Sequence, residues 1–141
     1  MTDENAGSQK PKLQFDVTAS RLSAHASQAS CKRATIALDT DMAGNPDAFN
    51  PAELLLAALA ACMIKGIERV VPILKFEVRV HGIRQDAPPR MESISYTIEV
   101  DTDEPEHRLA LLHENVKKYR TVFNTVAPGT DLSGWLVLKK R

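Results

Sequence analysis

The chain has 141 residues, enough for one domain with a single substantial core. Its 18 basic and 18 acidic side chains cancel, which disfavours nucleic acid and anionic membrane surfaces as partners. No apolar run reaches the length that a bilayer requires. The polar residues 1–12 are predicted to be a disordered lead-in without a secretory signal, and residues 13–141 a single domain.

The first part of this domain is predicted to form strands. Leu13–Val17 alternates apolar and polar side chains, which is typical of a half-buried strand. Residues 18–33 are small and polar, and they predict either a hairpin or an edge strand. Ala34–Leu38 predicts a further strand, and the turn-rich residues 39–49 predict a loop of a length that is often functional.

A long apolar helix is predicted next, in the run NPAELLLAALAACMIKGIERV. Asn50 suits the N-cap, Pro51 the first helical position, and Glu53 the third, where a carboxylate favours the helix dipole. Pro72 is predicted to end the helix. Because apolar side chains occupy nearly every face, we expect the helix to be buried on all sides, with one face against a partner subunit.

The second half predicts two strands, a helix and a last strand. Lys75–Ile83 and Ser93–Val100 alternate strongly and predict an antiparallel hairpin. Pro105–Tyr119 predicts a helix, Asn124–Gly129 a break, and Gly134–Leu138 the last strand. This order of elements predicts the α+β class.

The two cysteines, Cys31 and Cys62, lack the spacing of a metal site or a disulfide framework. No metal or cofactor is therefore expected, and a reducing compartment, the cytoplasm, is the expected location. A cysteine in an apolar helix more often packs than reacts. Cys62 lies in mid-helix, so activation would require a cation such as Lys65 one turn away or an arginine from another element.

The run NPAELLLAALAAC resembles the signature helix of the OsmC/Ohr family, the osmotically inducible and organic hydroperoxide resistance proteins. Cys62 stands where that family has its peroxidatic cysteine. The later run LLHENVKKYRTVFNTVAPG resembles the family's second conserved block. The resemblance implies an OsmC-like α+β fold with antiparallel sheets around a buried central helix. It also implies an intertwined homodimer with two sites at the subunit interface.

The resemblance also implies a reaction, in which the thiolate attacks a hydroperoxide, releases an alcohol and becomes a sulfenic acid. In the family an arginine holds the thiolate, a glutamate orients the arginine, and a second cysteine forms a disulfide that a dithiol reductant opens. Arg21 is the candidate arginine in this sequence, and Arg33 and Arg120 are its rivals.

The sequence departs from the family at the second cysteine. Arg120 and Thr121 occupy the position where family members read Cys-Pro, which excludes a two-cysteine cycle through that block. Cys31 lies among the N-terminal strands, and we expect it to fill a strand and not to resolve Cys62.

The glutamate is also displaced. Ala52 holds the family's position, and Glu53 follows one residue later. Along one continuous helix Glu53 and Cys62 would lie about 13 Å apart on opposite faces. Glu53 is therefore either only a cap residue, or a catalytic residue acting across the dimer or from a bent helix start.

Two functions stay open. The first is a weak one-cysteine peroxidase that reduces organic hydroperoxides through Cys62 in oxidative-stress defence, with Arg21 and Glu53 as catalytic residues and an external thiol as reductant. Arg120 and His113 would then bind substrate, although His113 could equally be a polar helix-surface residue. The second is a homodimer without catalysis, which binds a small apolar molecule or senses redox state.

Overall fold

The computed structural model describes residues 10–71, 75–118 and 120–139. The chain divides into two compact units, Met1–Pro51 and Ala52–Arg141, and each contains one three-stranded sheet. Within the described residues, no helix is both long enough and apolar enough to cross a bilayer. Most of the predicted lead-in, residues 1–9, lies outside the described residues.

The N-terminal unit holds a meander of three antiparallel strands. These are β1 (Thr18–Arg21), β2 (Ser27–Cys31) and β3 (Ala34–Leu38). The structure confirms the hairpin predicted within residues 18–33 and the strand at Ala34–Leu38. The strand predicted at Leu13–Val17 is wrong, because β1 begins only at Thr18 and residues 13–17 pair with no strand in the described chain. Alternation shows which side chains could share a face, but a strand also needs a neighbour to pair with.

The C-terminal unit is built on the long helix α1 (Pro51–Val70). The predicted start at Pro51 is confirmed, and Glu53 lies in the first turn. The backbone N–H of Val71 donates to the carbonyl of Ile67 at 3.0 Å, so the last helical turn extends to residue 71. The predicted stop, Pro72, lies outside the described residues.

The two sides of α1 differ in burial. Four residues on one face are buried: Leu59, Met63, Gly66 and Ile67. The opposite face, which we call the outer face of α1, carries the apolar side chains of Leu54, Ala57, Ala61 and Ile64, followed in the last turn by Glu68. Ile64 is 40% exposed there. A single chain therefore buries only one side of the helix that was expected to be buried on all sides.

The sheet of this unit is mixed. Strands β4 (Lys75–Gln85) and β5 (Arg90–Asp101) form the predicted antiparallel hairpin. The predicted α+β class is confirmed. Strand β6 (Asp131–Leu138) pairs with β5 in parallel, so the antiparallel pairing expected for the sheets is wrong for this strand. The reason is the crossover between β5 and β6, which returns the chain to the end where β5 began.

That crossover contains two helices. Helix α2 (Glu106–Lys118) matches the predicted helix, whose last residue, Tyr119, lies outside the described residues. Helix α3 (Thr121–Val126) continues into a single 3₁₀ turn at Ala127–Gly129. The predicted break at Asn124–Gly129 is therefore wrong, because the chain stays helical to Val126 before it turns.

One hydrophobic core joins these elements. Alternate residues of β5 face inward, and they pack against the buried sides of α1, α2 and α3. The inward positions of β5 and the helical residues that meet them are Ile94, Tyr96, Ile98 and Val100, with Leu59, Met63, Ile67, Leu109, Leu112, Val116 and Phe123. Removing this apolar surface from water is the main favourable contribution to folding of the unit.

Candidate functional site

Cys62 lies half-buried on α1, at the edge of the face that packs into the core. Its neighbours in the helix, Leu59 and Met63, are fully buried. Gly66 follows it by four residues, so the two lie one above the other on the same side of the helix. The thiol is therefore next to a gap in the helix surface where no side chain projects.

Arg120 occupies that gap. A methyl group placed on Gly66 would lie 2.9 Å from Cδ of Arg120 and 3.4 Å from its Cγ and Nε. The aliphatic part of Arg120 therefore packs directly on Gly66, one helical turn from Cys62. Arg120 is half-buried, and none of the ion pairs among the described residues includes it. A partly buried guanidinium without a carboxylate can bind an anion or a polarised oxygen.

The other predicted catalytic residues are placed differently. Arg21 is exposed on β1, in the N-terminal unit, where it pairs with Ser27 in the sheet register. Glu53 is exposed in the first turn of α1. Because α1 is one continuous helix, Glu53 and Cys62 project from opposite sides of it within one chain. Cys31 ends β2 and is half-buried, and both cysteines are free thiols.

His113 is held by a buried tyrosine. Its Nε2 lies 2.6 Å from the hydroxyl oxygen of Tyr96, whose side chain is only 2% exposed. The rings of Tyr96 and Phe123 meet edge to face, with centroids 6.2 Å apart. Gly134, the partner of Tyr96 in β6, provides the space, since a methyl group there would lie 2.5 Å from the tyrosine ring. The sequence analysis missed Tyr96 and Gly134, although Tyr96 falls at an inward position of an alternating strand.

Burial shifts the pKa of both Tyr96 and His113. Burial, followed by the nearby charge of Glu114, raises the pKa of Tyr96 to about 12. Burial, followed by the nearby charge of Lys117, lowers the pKa of His113, against a smaller raising effect of Glu114. At neutral pH the pair is therefore a neutral phenol and a neutral imidazole.

The Tyr96 shift predicts a loss of stability in alkali. The unfolded chain loses the Tyr96 proton near pH 10, before the folded protein does, so between pH 10 and 12 the unfolded state binds fewer protons. The free energy of unfolding should then fall with rising pH, by about 3 kcal/mol in total. Urea unfolding of wild type and Tyr96→Phe at pH 8 to 12 measures this fall in the free energy of unfolding. An unchanged difference between the two proteins across this range would contradict the prediction.

No group of three or more potential metal ligands occurs among the described residues. The described residues around Cys62 are the apolar Leu59 and Met63, Lys65 one turn along the helix, and the Arg120 guanidinium, which has no ion-pair partner among them. Such a set can do nucleophilic thiol chemistry on an apolar substrate with a polar oxygen.

The site defines a class of α+β proteins in which a long helix carries a candidate reactive thiol and packs on a mixed sheet. The chain belongs to the OsmC-like protein family, whose family model matches residues 44–133, so the resemblance inferred from the sequence is confirmed. Comparison with curated protein sequences gives no match.

Solved structures share the fold. An OsmC-like protein from Mycoplasma pneumoniae is 21% identical with a TM-score of 0.82, over 92% of this chain and 100% of that chain. The organic hydroperoxide resistance protein OhrB of Bacillus subtilis is 17% identical with a TM-score of 0.62, over 90% of this chain and 98% of that chain. An organic hydroperoxide resistance protein, OsmC, from Legionella pneumophila is 14% identical with a TM-score of 0.67, over 91% of this chain and 99% of that chain.

Proposed function

We propose that this protein is a weak one-cysteine peroxidase that reduces organic hydroperoxides in a stress-related redox role. The Cys62 thiolate attacks the distal oxygen of ROOH, the O–O bond breaks, and the alkoxide takes a proton to leave as ROH. Cys62 becomes a sulfenic acid. One external thiol then forms a mixed disulfide with loss of water, and a second thiol releases Cys62 and leaves as the external disulfide.

The observation that carries this proposal is the packing of Arg120 on Gly66, one turn from Cys62. In attack on a hydroperoxide, negative charge moves from sulfur to the leaving oxygen. The Arg120 guanidinium pairs with no carboxylate of the described residues, so it can stabilise that charge. Membership in the OsmC-like family and fold relatives named for organic hydroperoxide resistance support the same chemistry.

Arg21 and Glu53 remain proposed catalytic residues. Since Glu53 projects from the side of α1 opposite Cys62, it would act on the Cys62 of a second copy. His113 is hydrogen-bonded to Tyr96, so it would contribute to substrate binding only through its remaining ring nitrogen. The free thiols favour a reducing compartment such as the cytoplasm.

The second candidate is a protein that binds a small molecule or senses redox state without turnover. The specific observation in its favour is that Arg120 and Thr121 replace the second cysteine of the family pattern. A sulfenic acid without a resolving partner is slow to recycle and open to overoxidation.

The peroxidase proposal is tested by dosing the protein with one equivalent of cumene hydroperoxide in the presence of dimedone and measuring intact mass. We expect rapid addition of one dimedone in wild type and none in Cys62→Ser. Arg120→Met keeps the aliphatic packing on Gly66 but removes the charge, and should slow the adduct about tenfold to a hundredfold. Arg84→Met, on an exposed part of β4, is the matched control and should react like wild type. An inert Cys62 in wild type would reject the peroxidase in favour of the second candidate.

We propose further that a second copy covers the outer face of α1, which makes the protein a homodimer. Seven large apolar side chains of the N-terminal unit are also at least half exposed in one chain: Leu13, Phe15, Val17, Leu22, Ile36, Met42 and Phe49. So much exposed apolar surface is unusual for a monomer.

Ile64→Asp should break this dimer, because it places a charge within the apolar part of the outer face of α1, between Ala61 and Glu68. Light scattering after size-exclusion chromatography should give twice the chain mass for wild type and the chain mass for the variant. Ile83→Asp is the control, since Ile83 is 49% exposed on β4. A monomeric wild type, or a dimer that Ile64→Asp leaves intact, would contradict the proposed interface.

A further inference from the structure

A cleft of about 540 Å³ lies between α2 and β6, and neither Cys62 nor Arg120 is among the residues that line it. One wall is a stripe of α2 that includes Leu109, His113 and Lys117. The other wall is Gly134–Leu138, in the strand at the edge of the sheet. The volume falls within the usual range of small-molecule sites. The β6 wall is apolar, whereas the α2 wall combines Leu109 and Ala110 with polar side chains.

Tyr96 determines which nitrogen of His113 carries the proton. The buried Tyr96 hydroxyl has His113 as its only partner among the described residues, so its proton is satisfied only by donation to Nε2. The neutral imidazole must then hold its own proton on Nδ1. That N–H has no protein partner among the described residues, and His113 lines the cleft. The tyrosine therefore orients the ring and leaves one donor for another molecule.

The charges in the cleft are arranged along its length. Lys117 lies one helical turn beyond His113, so a cation and a fixed N–H donor are found at the same end. Lys117 has a partner, Glu114, but the two atoms are 3.5 Å apart and both side chains are exposed, so this ion pair is weak. Glu106 lies at the other end, about 16 Å along the helix. Lys117 and the N–H of His113 therefore favour a carboxylate at one end, where Glu114 opposes it in part, and Glu106 repels a carboxylate from the other end.

We propose that this cleft binds a small monocarboxylate with an apolar body, whose carboxylate contacts Lys117 and the Nδ1–H of His113. The apolar body would lie along Leu109, Ala110 and Leu136 toward Glu106. His113 is the one residue that this site shares with the proposed peroxidase, and carboxylate binding needs no reaction at Cys62.

Trp135 is the only tryptophan of the chain and borders the cleft on β6, so its fluorescence is a probe of binding there. We expect decanoate, titrated below its micelle concentration, to give a saturable change. Decanol, which lacks the charge, and decylamine, which carries the opposite charge, should bind at least fivefold more weakly. The same titration in Cys62→Ser should give the wild-type dissociation constant, which separates this site from the chemistry at the thiol.

Lys117→Gln should raise the dissociation constant for decanoate at least fivefold. Lys118→Gln removes the same charge from the next residue of α2, which does not line the cleft, and should leave the constant unchanged. His113→Gln, checked for folding by circular dichroism, should also weaken binding. The proposal is overturned if decanoate gives no saturable change, if decanol binds equally well, or if the two lysine variants behave alike.

Discussion

Replacing Gly134 by alanine is expected to lower the free energy of unfolding by about 3 kcal/mol, the upper part of the usual range for overpacking. The new methyl group would lie 2.5 Å from Cγ, Cδ2 and the backbone oxygen of Tyr96. The ring cannot simply move away, because its hydroxyl is hydrogen-bonded to His113 and its edge contacts Phe123. Even a displaced ring would leave the clash with the backbone oxygen.

Gly129→Ala is the matched control for this substitution. A methyl group at Gly129 would meet no atom within 4 Å, and its backbone is not in the left-handed region. We therefore expect a change within about 0.5 kcal/mol. Urea unfolding of the three proteins, followed by circular dichroism, measures both effects. Equal stability of Gly134→Ala and wild type would show that Tyr96 does not pack against Gly134 as described.

A second large effect is expected at two adjacent leucines of α2. Leu112 is 1% exposed within the core, whereas Leu111 is 64% exposed. Leu112→Ala should lower the free energy of unfolding by about 2 to 5 kcal/mol, because it removes buried methyl groups and leaves a cavity. Leu111→Ala should change it by no more than about 0.5 kcal/mol.

The pair isolates burial from helix propensity, since both substitutions make the same chemical change on the same helix. Melting by differential scanning calorimetry, at matched protein concentration, compares the variants. Concentration must be held constant because association of two copies would add to apparent stability. Similar losses for both leucines would indicate that Leu111 is buried in the assembled protein. Similar small effects would contradict the described core.

The sequence determined the elements whose signals are local. The start of α1 follows from Asn50 and Pro51, and the hairpin of β4 and β5 follows from strict alternation of side chains. The family signature around Cys62 likewise needs only the order of residues along one helix. These features depend on backbone preferences and on periodicity, which a single segment carries by itself.

Tertiary structure alone decided the rest. Leu13–Val17 alternates, yet it pairs with no strand of the described chain, and β6 is parallel because a helical crossover returns the chain to the start of β5. The contacts of Arg120 with Gly66, and of Tyr96 with His113, join residues far apart in sequence. Periodicity can show that such residues face inward, but which side chains meet depends on how helices and strands pack, and no single segment contains that information.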